Sequence, residues 1–141
     1  GCMGKGEIKR YFLDTNIILD FLGNREPYGE LAKKIFKKGY RGQVELWTSD
    51  ISIATTYYLL SKTVGEKKAR ELISKLLTHI EVQSVTKSML STALNISFKD
   101  YEDAIQHECA LSIKNLEAII TRNTKDFKTA QLQVQRPEDV I

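Results

Sequence analysis

The sequence predicts an α/β domain of three layers, α/β/α, with helices on both faces of a central, mostly parallel sheet. Two strand-forming runs, Arg10-Tyr11-Phe12-Leu13 and Ala118-Ile119-Ile120-Thr121, are too uniformly apolar to keep one face wet, which marks strands buried on both sides. The strand candidates are separated by stretches with helical spacing, so successive strands must be joined by crossovers and not by hairpins. A chain of 141 residues, 42% hydrophobic and 28% charged with 2 Pro and 8 Gly, has the size and composition of one folded domain and of neither a fibrous nor a disordered protein.

Taken in order, Arg10 to Leu13 form the first strand, which stops at the turn and cap residues Asp14-Thr15-Asn16. Ile17, Ile18, Leu19, Phe21 and Leu22 then make a short buried helix closed by Gly23-Asn24, and Pro27 suits the first turn of a second helix that runs to about Gly39. Val44-Glu45-Leu46-Trp47 is the second strand. Ser49 or Asp50 caps a helix reaching about Thr63, and another follows Gly65 from Glu66 to Leu77. Ile80, Val82 and Val85 alternate with polar neighbours and predict a third strand, followed by a short helix from Lys87 to Leu94. Asp100 caps a helix from Tyr101 to about Lys114. Ala118 to Thr121 is the fourth strand, the polar stretch Arg122 to Asp126 leaves it, and Leu132 to Val134 adds a last strand at the edge.

Residues 1–7 read as a disordered N-terminal segment or an expression remnant, and residues 8–141 as the single domain. Cys2 and Cys109 are the only cysteines and belong to no CxxC or Cys/His cluster, which points to neither a disulfide framework nor a zinc site; Cys109 reads as core. The net charge of +3 is too small to identify a partner. Lys33, Lys34, Lys37, Lys38 and Arg41, and again Lys62, Lys67, Lys68 and Arg70, interleave with Ile35, Phe36, Leu72 and Ile73 as the wet side of amphipathic helices does. No apolar run approaches the roughly 20 residues that span a bilayer, and the start has no signal-peptide pattern, so a cytoplasmic protein with no membrane partner is expected.

Chemistry concentrates at strand and helix ends. Asp14 directly follows an apolar strand, where its carboxylate sits at the mouth of the sheet beside the amides that open the next helix. Ligands of such sheets bind beyond the carboxyl ends of the strands. Asp100-Tyr101-Glu102-Asp103-Ala104 places three acids in the opening of a helix, and Asp103, just before the inward-facing Ala104 and Ile105, leans to the rim of the core. Asn123 and Asp126 lie in the loop after the fourth strand. Each acid alone is explained by capping. Together they ask for a cation, because carboxylates repel and converge when one holds them, and hard oxygen ligands suit Mg²⁺ or Mn²⁺.

Phe12-Leu13-Asp14-Thr15-Asn16, Asp100-Tyr101-Glu102-Asp103-Ala104 and Ile120-Thr121-Arg122-Asn123-Thr124-Lys125-Asp126-Phe127 resemble, in order and spacing, the three strongest motifs of PIN domains. The resemblance covers the chain from Ile8 onward. It implies a PIN-like fold and a metal-dependent endoribonuclease that hydrolyses RNA phosphodiester bonds, including the toxins of toxin–antitoxin pairs, with RNA as substrate, an antitoxin protein as partner and a homodimer as assembly. It further implies that Asp14 and Asp103 bind the metal, that Asp14, Asp103, Asn123 and Asp126 occupy the catalytic positions, and that Asn16 and Thr121 support them. Many members carry a Glu in the helix after the second strand, where this chain offers Thr55 or Thr56. A hydroxyl cannot supply that charge, and Asn123 is neutral as well, so weaker metal affinity is expected, with Glu102 or Asp126 as candidates to compensate. A non-catalytic PIN-like module that binds RNA or protein through a degraded acidic site is the alternative.

An aspartyl phosphotransferase fits poorly. Haloacid-dehalogenase-like enzymes want a second Asp two residues after the first, and Asn16 stands there; receiver domains want their acidic pair before the acceptor strand. His79 and His107 are far apart in the chain and support no triad. His107 reads as a solvated or core-edge residue, and Tyr57 and Tyr58 as packing a helix against the sheet or a second subunit.

Overall fold

The first strand, β1 (Lys9–Leu13), sends Tyr11 and Leu13 into one core cluster and Phe12 into another. The fourth strand, β4 (Leu116–Ile120), does the same with Ala118 and Ile120 against Ile119. Successive side chains of a strand point to opposite faces, so these runs can be apolar throughout only if both faces are covered. They are. On one face lie Ile17 and Ile18 of α1 (Thr15–Leu22) and Ala32, Ile35 and Phe36 of α2 (Gly29–Tyr40); on the other lie Cys109 and Ala110 of α6 (Tyr101–Leu111). The computed structural model describes residues 7–141, so the expected N-terminal segment falls, Glu7 apart, outside the described residues, as does Cys2.

The sheet has five strands in the order β3-β2-β1-β4-β5, and every pair is parallel. From β1 the chain winds outward through β2 (Val44–Ser49) and β3 (Glu81–Gln83), then returns to place β4 and β5 (Val134–Gln135) on the other side of β1. The winding reverses between β1 and β4. In an open parallel sheet the loops that leave two such strands diverge and leave a crevice. Three further helices complete the layers: α3 (Asp50–Val64), α4 (Glu66–Leu77) and α5 (Lys87–Ala93). The basic stretches behave as amphipathic helices demand, with Lys33, Lys34 and Lys37 exposed beside buried Ile35 and Phe36. Among the described residues no helix is long and apolar enough to cross a membrane.

Several boundaries differ from the sequence reading, each for a local reason. The helix after Asp100 stops at Leu111 and not at Lys114, because the Ser112 hydroxyl donates to the Cys109 carbonyl at 2.7 Å and Asn115 turns left-handed at φ 60°. Val85 lies outside the third strand, since its N–H donates to the Asp50 carboxylate at 3.1 Å and not to a neighbouring strand. The second helix begins at Gly29, past Pro27, and the last strand is Val134–Gln135 and not Leu132 to Val134. Tyr58 does not pack on the sheet. It is 57% exposed, with the Lys62 ammonium 4.2 Å from its ring centre, while the half-buried Tyr57 meets Arg70 of α4.

Cys109 is fully buried, as a core residue should be, and burial first and the Asp50 charge second push its thiol up to about 12. In a Cys2→Ser protein the remaining thiol should therefore react with a disulfide reagent at pH 8 only as fast as the protein opens. Rapid reaction of one equivalent in the native state would contradict this packing.

Candidate metal centre

The crevice between β1 and β4 is closed at its base by backbone bonds that set the position of Asp14. The Asp14 N–H donates to the Ile120 carbonyl at 3.0 Å, and the Thr48 hydroxyl of β2 donates to the Leu13 carbonyl at 3.0 Å. Asp14 is the N-cap of α1: it stays in an extended conformation, and its Oδ1 accepts from the Thr15 N–H at 2.8 Å. From β4 the Thr121 hydroxyl donates to Oδ2 at 2.7 Å, and itself accepts the Asn123 N–H at 3.1 Å. Asn16 Nδ2 stands 3.5 Å from Oδ2. The supporting roles expected of Asn16 and Thr121 are thus what their positions allow.

Asp14 is 7% exposed, and burial pushes its carboxyl above the ordinary carboxylate range. The Thr121 hydroxyl and the Thr15 N–H pull it back, Asp126 raises it, and Arg122 lowers it. Two strong donors leave about half of the four lone-pair sites of a carboxylate open.

Across the crevice, the start of α6 supplies three further acids. Asp100 caps the helix by accepting the Glu102 N–H at 3.1 Å, and Asp100, Glu102 and Asp103 each offer a carboxylate oxygen within 4.8 Å of the others. Asp103 is pushed up to about 7, by burial first and then by the charges of Asp14, Asp100, Asp126 and Glu102. Glu102 is raised by burial, by Asp14 and by Asp100. None of Asp14, Asp100, Glu102 and Asp103 forms an ion pair with a Lys or Arg among the described residues.

This arrangement is the one a cation fits. Several carboxylates approach one another with no ion pair to offset their repulsion, and Asn16 Oδ1 is buried with no partner among the described residues, as an oxygen beside a cation's hydration sphere would be. The sequence predicts Asp14 and Asp103 as metal ligands with Glu102 or Asp126 to compensate; the structure gathers Glu102 and Asp103 together with the cap residue Asp100, whose signal was the run of three acids in four positions.

The remaining expected residues are placed less tightly. Asn123 and Asp126 flank the crevice in exposed positions, Asp126 in a 3-10 turn at Thr124–Phe127, and Asp126 acts on Asp14 and Asp103 through its charge. Thr55 lies on α3 and makes no side-chain hydrogen bond among the described residues, whereas Ser52, one turn earlier, has its hydroxyl 2.7 Å from that of Thr15. The face of α3 that carries Ser52, Thr55 and Thr56 therefore turns toward the Asp14 loop. Thr56 is fully buried with its hydroxyl unpartnered, so an acid there would meet the core.

His107 is neither solvated nor at the core edge. At 2% exposure it accepts the Gln131 N–H on Nε2, so Nδ1 must carry the proton and donate to Glu108 at 3.0 Å, and the ring fastens the segment before β5 to α6.

Comparison with known proteins agrees with this geometry. Residues 10–125 match the family model described as a PIN domain. Ribonuclease VapC1 of Aquifex aeolicus (strain VF5) is 27% identical over 136 residues, covering 93% of this chain and 92% of that protein. A toxin–antitoxin complex from Klebsiella pneumoniae contains a chain with a TM-score of 0.66 and 26% identity, across 90% of this chain and 97% of that one. DNA-bound VapBC from Salmonella typhimurium contains one with a TM-score of 0.69 at 16% identity, across 93% and 99%, a likeness of fold.

The position of Asp103 makes stability depend on pH in a defined direction. Its carboxyl titrates near 3.8 in the unfolded chain and about 7 in the folded one, so between those values the folded protein holds a proton that the unfolded chain has lost, and stability falls as pH rises through that window. In EDTA, Asp103→Asn should therefore melt at a higher temperature than the parent at pH 8 and converge on it at pH 4. The same difference at both pH values would show that Asp103 carries no such shift.

Proposed function

This chain belongs to the PIN domain family, and from that premise we propose that it is a metal-dependent endoribonuclease that hydrolyses RNA phosphodiester bonds, of the kind that acts as the toxin of a toxin–antitoxin pair. The observation that carries the reading is the approach of buried Asp14 to the acids of α6 at the β1/β4 crevice, where its charge raises Glu102 and Asp103 and none of the four acids is ion-paired among the described residues. Nucleases of this family depend on a divalent cation. Mg²⁺ or Mn²⁺ is the reading the donors support, because every side chain in position is an oxygen ligand and no His or Cys joins the cluster.

Asp14 and Asp103 would hold the ion, and Asp100 and Glu102 each place a carboxylate oxygen within 4.8 Å of one on Asp103. When bound, the ion supplies the positive charge that a phosphodiester under attack requires and makes water a better nucleophile. The chain's own residues do the rest. Thr121 and the Thr15 amide fix both oxygens of Asp14, so that its free lone pairs keep one direction. Asn123, whose side chain makes no cap bond, can donate to a phosphate oxygen, and exposed Asp126 can orient water or take up its proton.

A non-catalytic module rested on Thr55 standing where many relatives have Glu. Asp100 and Glu102 weaken that case, since they restore the negative charge that Thr55 and Asn123 do not supply. The partner protein follows from the relatives: the Klebsiella pneumoniae chain is part of a toxin–antitoxin complex, and an antitoxin is the partner proposed here.

Purified protein supplied with Mg²⁺ or Mn²⁺ should cut RNA internally. Thr121→Val removes a supporting donor and should slow cleavage by roughly 10- to 100-fold, while Asp14→Asn and Asp103→Asn should each cost more than that. Asp14→Asn and Asp103→Asn proteins that cut as fast as the parent would refute the assignment. Thr55→Glu adds an acid on the helix face that meets the Asp14 loop and should tighten Mn²⁺ binding measured by calorimetry; unchanged affinity would show that Thr55 does not face the metal.

A further inference from the structure

Beside the metal centre, on the α1 and α2 side of the loop that leaves β4, lies a cavity of about 320 Å³ that the chemistry described so far leaves unused. Its walls include Tyr28, Arg122, Asn123 and Arg136. The volume falls at the small end of ligand pockets and suits one nucleotide. Resting on the ribonuclease reading, we propose that this cavity is a nucleotide subsite, which takes the RNA residue next to the cleaved bond with its phosphate on Arg122 and Arg136 and its base against Tyr28.

Arg122 is held in place to a degree that a solubilising surface charge does not need. Its Nε donates to Asp20 Oδ2 at 2.7 Å and its Nη2 stands 3.3 Å from Oδ1, a fork onto a carboxylate that is 1% exposed. Its guanidinium also lies 3.8 Å from the centre of the Tyr28 ring. Of its five N–H donors, three have no protein acceptor among the described residues, which are the two on Nη1 and one on Nη2. Arg25 donates to the same Asp20 at 3.0 Å, so two cations share one buried anion; the charged residues of the cavity wall, Arg122 and Arg136 against Asp20 and Glu138, balance, and the positive charge in surplus comes from Arg25 behind it.

That combination selects its ligand. A planar cation with free donors suits a phosphate, and an aromatic ring that is 40% exposed offers a stacking surface for a base. Glu138, also at the wall, would repel a second phosphate but can accept N–H groups from a base edge. The cavity is tied to the metal centre through consecutive residues: Asn123 lines it, the Asn123 N–H binds the Thr121 hydroxyl, and that hydroxyl binds Asp14. A strand entering the cavity would therefore pass Asp14 within one nucleotide.

The test is fluorescence anisotropy with a labelled single-stranded pentaribonucleotide in EDTA, which separates binding from cleavage. Asp14→Asn should bind at least as well as the parent. Tyr28→Leu should weaken binding on the order of tenfold. Arg136→Gln should weaken it too, and should lower the slope of log affinity against log salt by about 0.7, as loss of one phosphate contact on a single strand requires. Both substitutions leave the Asp20 pairs intact, and unchanged melting temperature and Mn²⁺ affinity would show that fold and metal centre are untouched. If both variants bind like the parent, or the parent binds no oligonucleotide at millimolar concentration, the subsite is refuted even where Asp14-dependent cleavage persists. Cavity-dependent binding without any Asp14-dependent cleavage would uphold the subsite and remove the nuclease reading.

Discussion

The site depends on one constraint, the burial of the Asp14 carboxylate at the point where the sheet reverses its winding. An isolated carboxylate taken out of water costs several kcal/mol even after the protein relaxes around it, so something must hold it there. The fold does so chiefly with hydrogen bonds, Arg122 adding a smaller pull through its charge without forming an ion pair. Parallel pairing of β1 with β4 puts the Asp14 N–H on the Ile120 carbonyl, which aligns the residue that follows β4, Thr121, to donate to Oδ2. The start of α1 gives Oδ1 an N–H and the positive end of a helix dipole. These donors satisfy part of the carboxylate and leave the rest available.

The same molecule contains its own control for that interpretation. Asp20, also on α1 and even more buried at 1%, is met by Arg25 and by a forked contact from Arg122. That is how a folded protein treats a buried acid whose purpose is architectural. Asp14 receives no such cation. Its charge raises the carboxyls of Glu102 and Asp103, and Asp126 raises its own. Burial alone would make both aspartates look alike, and it is the distribution of arginines that separates an anion held by ion pairs from one left open to the crevice.

Much of this was legible in the sequence, and the limits have physical causes. Apolar content revealed β1 and β4 because their last three residues, covered on both faces, have no polar positions to blur them. The short strands were harder to bound: β3 and β5 lie at the edges, where a side-chain acceptor such as Asp50 or a loop carbonyl replaces a ladder partner that sequence does not show. Asp14 was readable because it stands at an abrupt change from apolar strand to polar loop, and Asp103 because it directly precedes the inward-facing Ala104 and Ile105 in the first turn of a helix. The involvement of Asp100 followed from a cluster within a single turn, but its dual use as cap and neighbour of the metal position is a matter of distance. Nothing local announced Asp20 and Arg122, which are separated by 102 residues and meet only because β4 lies beside β1.

The loop that leaves β4 ties these pieces together. Thr121, Arg122 and Asn123 are consecutive, yet Thr121 binds the carboxylate at the head of α1, Arg122 binds the one six residues further along, and Asn123 lines the cavity beside them. Six residues of helix separate those carboxylates by roughly 9 Å along the axis. Because a helix resists stretching and Arg122 is fixed by a fork and a ring, the metal centre and the cavity keep a set spacing without help from a flexible side chain. A loop anchored at two points on one helix cannot shift at one without straining the other. The charge deficit left by Thr55 and Asn123 therefore does not have to be met by a stronger grip on the ion alone: where a ligand's phosphate is positioned by a rigid cation beside the centre, the binding energy available there can offset a weaker hold on the metal.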